Sequence, residues 1–491
     1  MSSMLSDPRI RLGACVLAMA VVGGLGVVTH PKQPKVGPEA ASQTPARTVV
    51  NRTALACPAL TGDKQTAVVN GVAPALPEGT PTASGDESPL SIIPLASTAD
   101  PVGSLLVRGK IGSSTATSKP QTLSIRGTGP LAAGAVGTST TVATTGVNAG
   151  MASAPCQLPG SDFWFVGAST AADRRDVLTL TNLDSVNAAV NVTIYSNKGR
   201  LDVPSARGLV IPARSTYELF LEQAARSQKD LALHVESTGG RVAPALRDYA
   251  SKANKTPAGV DWIAPAPAPA TKVSVPGAAP GTGLRTLVLA NPTDLQATIS
   301  LTVNGPNGPF KPAGLETVRL PAGAVSSIKL EAVLHGDASG ISLASDQPVV
   351  ASLRMTDKGG SDFASMSAGE PLTGPAYLVL PAHKQPAVLQ LTAPGKASSV
   401  KVDLRDAAGK SLASRTVDVV AGATTQIPMK AAAGPTYLTV EQTRGTVVAG
   451  VTLMPAAKSD DTPQVAAWPL NTSLVFRAQL GAQPDVRSAL R

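Results

Sequence analysis

Three stretches of this chain echo one another. Leu178-Thr-Leu-Thr-Asn182, Leu287-Val-Leu-Ala-Asn291 and Leu389-Gln-Leu-Thr-Ala393 open similar runs of sequence. A repeat of roughly 100 residues is a whole small domain copied in tandem, because a solenoid repeat or a propeller blade is less than half that length. Soon after each opening comes an alternating segment. Val190, Val192 and Ile194 share one face of the first, Ile299, Leu301 and Val303 of the second, and Val400, Val402 and Leu404 of the third. Period-two alternation marks a strand with one buried face. Turn signals follow at Ser196-Asn-Lys-Gly199, Asn304-Gly-Pro-Asn-Gly308 and Asp406-Ala-Ala-Gly409, where Gly and Asn admit the positive φ of tight turns.

The copies end in related segments: Val235–Ala243, Leu343–Ala351 and Val440–Ala449, each read as a closing hairpin. Short strands with turn signals every 8–12 residues or so predict immunoglobulin-like β-sandwiches, three in a row. Leu219–Lys229 is rich in helix formers and predicts a short helix between strands. The expected fold class is all-β: tandem sandwiches after a single N-terminal transmembrane helix and a Pro-rich spacer.

That helix is expected over 12–29. Leu12–Val28 carries no charged side chain, and Arg9 and Arg11 precede it. It would span about 25 Å, close to the hydrocarbon thickness of a bilayer. The basic flank keeps residues 1–11 in the cytoplasm. The run ends without small residues in a cleavage pattern, so an uncleaved anchor is expected, with the body extracytoplasmic; cleavage would release a secreted protein. Residues 30–56 form the spacer, with Pro31, Pro34, Pro38 and Pro45 favouring extended chain.

Beyond the anchor only Cys57 and Cys156 remain. In an oxidising compartment they are expected to pair, closing a loose, β-rich domain over 57–157. The three sandwiches are expected over 158–258, 259–370 and 371–474, and a flexible basic tail over 475–491.

Chemistry is hard to find in this sequence. The four histidines are scattered, and none forms a His-Glu-x-x-His motif. There is no Gly-x-Ser-x-Gly elbow and no phosphate-binding Gly loop after a strand. Ser326-Ser-Ile-Lys329 matches an acylating motif but lies in an expected strand without its partner motifs. Asp173 and Asp176 lie in a polar segment expected to be solvated. No catalytic, cofactor-binding or metal-ligating residue is assigned, and no enzyme or cofactor is expected. Trp164, Trp262, Tyr377 and Trp468 recur near the unit junctions. They are candidate sugar-stacking rings but are read first as packing, since aromatics are only 3% of the chain. The formal charge of +9 is diffuse. No basic stripe interleaves with aromatics, so nucleic acid is not an expected partner.

Ala154-Pro-Cys-Gln-Leu-Pro-Gly-Ser-Asp-Phe-Trp-Phe-Val-Gly167, with the repeat opener and closer that follow it, resembles an actinobacterial family of unknown function, domain-of-unknown-function family 5719. The resemblance implies an extracytoplasmic envelope protein with an N-terminal membrane segment, and it brings no catalytic residues. The expected function is a non-catalytic structural or adaptor protein of the bacterial cell envelope, partnered by the membrane and by another envelope protein. A binder of cell-wall glycan or anionic polymer is the alternative, and an enzyme with a loop-borne site the second alternative.

Overall fold

The computed structural model describes residues 46–479, except 61–64, 82, 84, 86–87, 96–99, 118–120, 144, 147, 254–255 and 456–463. The expected anchor, the first part of the spacer and most of the basic tail lie outside the described residues. Within them the chain is all-β, with two four-residue helices at Leu221–Ala224 and Glu331–Leu334. The first falls inside the segment where a short helix is expected.

Four two-sheet units follow one another, each with eight strands numbered here β1 to β8. In unit I they are Arg52–Cys57, Gln65–Val72, Leu90–Pro94, Gly103–Leu105, Ile111–Ser113, Leu123–Thr128, Val136–Ala143 and Gly150–Pro155. In unit II they are Asp162–Ala168, Val177–Asn182, Ala188–Ser196, a split β4 (Gly199–Leu201 and Leu209–Ile211), Ser215–Phe220, Leu231–Gly239, Ala243–Ser251 and Pro257–Ile263. In unit III they are Ala270–Val275, Arg285–Ala290, Ala297–Gly305, a split β4 (Gly308–Phe310 and Thr317–Leu320), Val325–Lys329, the two halves of Gly340–Thr356 as β6 and β7, and Phe363–Ser367. In unit IV they are Ala376–Leu380, Ala387–Thr392, Ser398–Asp406, Ser411–Val419, Thr424–Met429, Thr436–Arg444, Val448–Leu453 and Ala466–Leu470.

All four units share one strand order. One sheet runs β1-β6-β3-β4 and the other β5-β2-β7-β8, every pairing antiparallel. An immunoglobulin constant domain orders its strands ABED and CFG instead. The segment around Cys57–Cys156 is therefore a fourth copy of the unit. The expected closing hairpins are crossovers: β6 lies in one sheet and β7 in the other. In unit III this crossover is a single continuous strand. Strand Pro257–Ile263, across which a boundary was expected, pairs with Ala243–Ser251 of unit II.

Inside each unit the two sheets close over one core. In unit II it holds Phe165, Leu178, Val190, Val192, Ile194, Leu233 and Leu246, all buried. The alternating residues of β3 thus point inward. Asn at the end of β2 is a polar staple for the repeat. Asn182 Nδ2 donates to the carbonyls of Val186, Ile211 and Pro212 at 2.8, 3.1 and 3.1 Å. Asn291 does the same to Leu295, Leu320 and Pro321 at 2.7, 3.2 and 3.1 Å. One buried amide thereby ties the turn after β2 to the turn after β4. Unit IV has buried Ala393 at this position, and its two turns meet directly through Gly422 N–H donating to Ala393 O at 2.7 Å.

The units do not form a row but close into a ring. The outer face of the β1-β6-β3-β4 sheet of each unit packs on the outer face of the β5-β2-β7-β8 sheet of the next. From I to II, Ala54, Ala56 and Leu95 meet Leu183 and Ala243. From II to III, Trp164, Tyr195 and Ala232 meet Val288, Val325 and Val350. From III to IV the seam is polar: Asn304 Nδ2 donates to Gly422 O at 2.8 Å and Thr392 Oγ1 to Pro276 O at 2.6 Å. From IV back to I, Val379 and Tyr437 meet Val72, Ile111 and Val136, and Thr138 Oγ1 donates to Val379 O at 2.7 Å. At the ring axis the four β8 strands touch in cyclic order, I to II to III to IV to I.

The Cys57–Cys156 disulfide joins the end of β1 to the end of β8 in unit I. It closes a loop of 99 residues in a unit whose strands are filled with Ser, Thr, Gly and Ala. Replacing both cysteines by Ser is expected to lower unfolding free energy by about 2–5 kcal/mol, measured by denaturant titration without reductant. Asn182→Ala and Asn291→Ala should each cost about 1–3 kcal/mol by the same measurement, because each leaves buried carbonyls unmet.

Candidate functional site at the ring axis

The four candidate aromatics all lie within seams or cores. Trp164 and Tyr377 occupy equivalent positions on β1 of units II and IV, opposite His234 and Thr439. Trp164 stacks on His234, ring centroids 4.1 Å apart, in the seam between units II and III. His234 Nε2 lies 3.2 Å from Asp162 Oδ2. Trp262 and Trp468 lie on β8 instead, and their registers differ by one residue, which turns them to opposite faces. Trp468 fills the core of unit IV, and Trp262 packs against Leu60, Ala152 and Ala154 of unit I. None presents an open face for a sugar ring.

Near the axis lies a charged cluster that no sequence motif signals. Arg174 donates to both oxygens of Asp248, at 2.6 and 2.5 Å, and its Nη2 lies 3.7 Å from Asp176. Arg354 of unit III reaches Asp248 at 3.4 Å and lies over the ring of Phe363, 3.7 Å from its centroid. Burial opposes the charge on Arg174, but Asp248 and Asp176 outweigh it and raise its pKa. Asp176, expected in a solvated loop, is fully buried. Its neighbour Asp173 is exposed, so the two never form a carboxylate pair. Asp176 Oδ2 faces Arg174 and accepts from Ser169 N–H at 2.7 Å, while its Oδ1 has no hydrogen-bond partner; burial and the charge of Asp248 raise its pKa well above the ordinary value.

Two more carboxyls, Asp261 of unit II and Asp362 of unit III, are each 1% exposed. Asp261 Oδ1 accepts from Ser153 N–H of unit I at 3.3 Å, and its Oδ2 has no hydrogen-bond partner. Asp362 Oδ1 accepts from Phe363 N–H at 3.0 Å, and its Oδ2 is likewise unmet. A Cβ added to Gly259 would sit 2.3 Å from Asp362 Oδ1, so glycine is required for this approach. Burial drives both carboxyls well above their ordinary 3.8, and the charge of Asp261 adds to the effect on Asp362. Each therefore keeps its proton above the pH at which an ordinary carboxyl releases it. Among the described residues no group of three His, Cys, Asp or Glu side chains is arranged to hold a metal ion.

A cavity of about 190 Å³ lies where units I, II and IV converge, with Leu55, Cys156, Trp262, Tyr377 and Leu470 in its wall. Thr53, Thr181 and Ser473 add hydroxyls to it.

A model of the Family of unknown function (DUF5719) matches residues 111–430, which run from the start of β5 of unit I to just past β5 of unit IV. The chain belongs to this family. Its description assigns no activity. No curated protein matches.

The buried carboxyls give the family member a measurable acid response. The folded chain keeps protons on Asp261 and Asp362 at pH values where the unfolded chain has released them. The folded state then binds more protons, so stability is greatest below the ordinary carboxylate range and falls as pH rises toward the folded values. Asp248, Asp357 and Arg354 face the same pocket of charge. Asp261→Asn and Asp362→Asn should flatten the decline in unfolding free energy as pH rises above about 4, each adding about 1–3 kcal/mol at neutral pH. Thermal melts across that range check it.

Proposed function

We propose that the protein is a non-catalytic scaffold of the actinobacterial cell envelope, with an immunoglobulin-like two-sheet build in each unit. Residues 12–29 anchor it in the membrane, and the disulfide-closed body stands outside and docks another envelope protein. The observation that carries this reading is the closed ring. Head-to-tail seams, apolar at three steps and polar between units III and IV, bury the outer sheet faces and leave a closed body with loops and edge strands facing outward. The disulfide supports an oxidising compartment. Among the described residues no helix is long and apolar enough to cross a membrane, and the proposed anchor lies outside them.

Attraction to an anionic wall polymer is the alternative, supported by the formal charge of +9 and a pI near 9.5. The two readings separate experimentally. Photo-crosslinkers placed on exposed Tyr217, Phe310 and Leu412 of the membrane-anchored protein should capture one envelope protein reproducibly. Diffuse labelling of abundant envelope proteins, together with binding of the chain to isolated cell walls that fades with salt, would overturn the scaffold reading and favour the polymer.

A further inference from the structure

The seam that closes the ring, between units IV and I, is not filled throughout. The outer face of the unit IV sheet carries a grid of polar side chains. Lys401, Asp403 and Arg405 on β3 stand opposite Glu441, Thr439 and Tyr437 on β6. Residues 75–78 of unit I pass over one side of the grid, tied by Tyr377 Oη donating to Ala75 O at 3.2 Å. A cavity of about 160 Å³ remains between them.

Tyr437 lines this cavity, is 1% exposed, and its hydroxyl has no hydrogen-bond partner. Burial raises its pKa, so the group stays an O–H donor. A buried hydroxyl left unmet is uncommon in folded proteins and asks for an explanation. Arg405 is committed to Asp403 at 2.5 Å and to Gly409 O at 3.0 Å. Lys401 and Glu441 have no such ties, and Glu78 adds a second carboxylate to the rim. Among the described residues, the ammonium of Lys401, the carboxylates of Glu441 and Glu78 and the hydroxyls of Tyr377, Tyr437 and Thr439 therefore surround a small, partly enclosed space.

The geometry points to a binding site for a small zwitterion of the free amino-acid class. The ligand carboxylate pairs with Lys401, its ammonium with Glu441, and its polar end meets Tyr437 Oη. The volume is close to that of a cavity that accepts benzene, which sets a ligand of about six to ten non-hydrogen atoms. A neutral sugar fits less well, because the flat faces of Tyr377 and Tyr437 are packed into the seam and offer no stacking platform. Because units I and IV both supply walls, the ligand binds the closed ring and stabilises it by mass action. This site is independent of the scaffold reading.

Thermal melts and titration calorimetry on the full-length chain test it, with glycine, serine, glutamate and lysine in L and D forms as probes. Acetate, ethylamine and glucose serve as single-feature controls. At least one amino acid should raise the melting temperature in a dose-dependent way, and the controls should not. Tyr437→Phe and Lys401→Met should each weaken binding about 10-fold or more. Lys401 is exposed and Glu441 half-exposed, so Lys401→Met and Glu441→Gln report on binding even if Tyr437→Phe disturbs the seam. No shift and no heat with any amino acid at about 10 mM, far above a micromolar Kd, overturns the proposal. So does an equal response to a control, or wild-type affinity in both Lys401→Met and Glu441→Gln.

Discussion

Everything in this molecule depends on one face-to-face contact used four times. A two-sheet unit buries the inner faces of its sheets by itself. Here the outer faces are buried too, one sheet against the unit before and the other against the unit after. This is why β1 of unit IV, Ala376–Leu380, and β8 of unit III, Phe363–Ser367, are buried at every position instead of alternating. Strands covered on both sides carry continuous small and apolar side chains. Contacts of this head-to-tail kind propagate without limit unless the rotation per step closes. Four steps close it here, so the last unit meets the first.

Closure brings four β8 strands together at the axis, and the charge found there follows from it. A side chain that would face water in a lone unit faces three neighbours in the ring. Asp248 is clasped by Arg174 and met by Arg354 of the next unit. Asp261 and Asp362 have backbone donors but no cation in hydrogen-bonding contact, and desolvation then favours the neutral acid. The axis thus has ion pairs on one side and, on the other, carboxyls whose pKa burial raises.

The parts of this architecture that lie within one unit were legible in the residues. Val190, Val192 and Ile194 alternate because only one face of β3 meets the core of its own unit. Cys57 and Cys156 are the only cysteines after Cys15 and are joined. What escaped lies between units. Gln390, Thr392, Asp261 and Asp362 are polar and sit where a strand reads as solvent-facing, yet all are buried against another copy. Nothing within a window of one strand tells a wet outer face from a covered one. Unit I reads as loose in the sequence because its strands use small residues, such as Ser139, Thr140 and Ser153, whose burial depends on close sheet packing and not on side-chain bulk. The aromatics misled for a related reason. Trp262 and Trp468 look alike in sequence, but one residue of register sends one to a seam and the other to a core.

The disulfide takes on a different meaning once the ring is seen to close. The bond from Thr138 to Val379 spans 241 residues of chain, so the face of unit I formed by Val72, Ile111 and Val136 has no cover until almost the entire polypeptide has been made. A chain emerging from its N-terminus must hold that apolar face ready, and unpaired, until unit IV has been made. Unit I is also the unit with the least bulky core. A covalent tie between its first and last strands can be made as soon as residue 156 is available, and it keeps the waiting template in shape for the final unit. The crosslink falls in the one unit that must persist alone before its last neighbour exists.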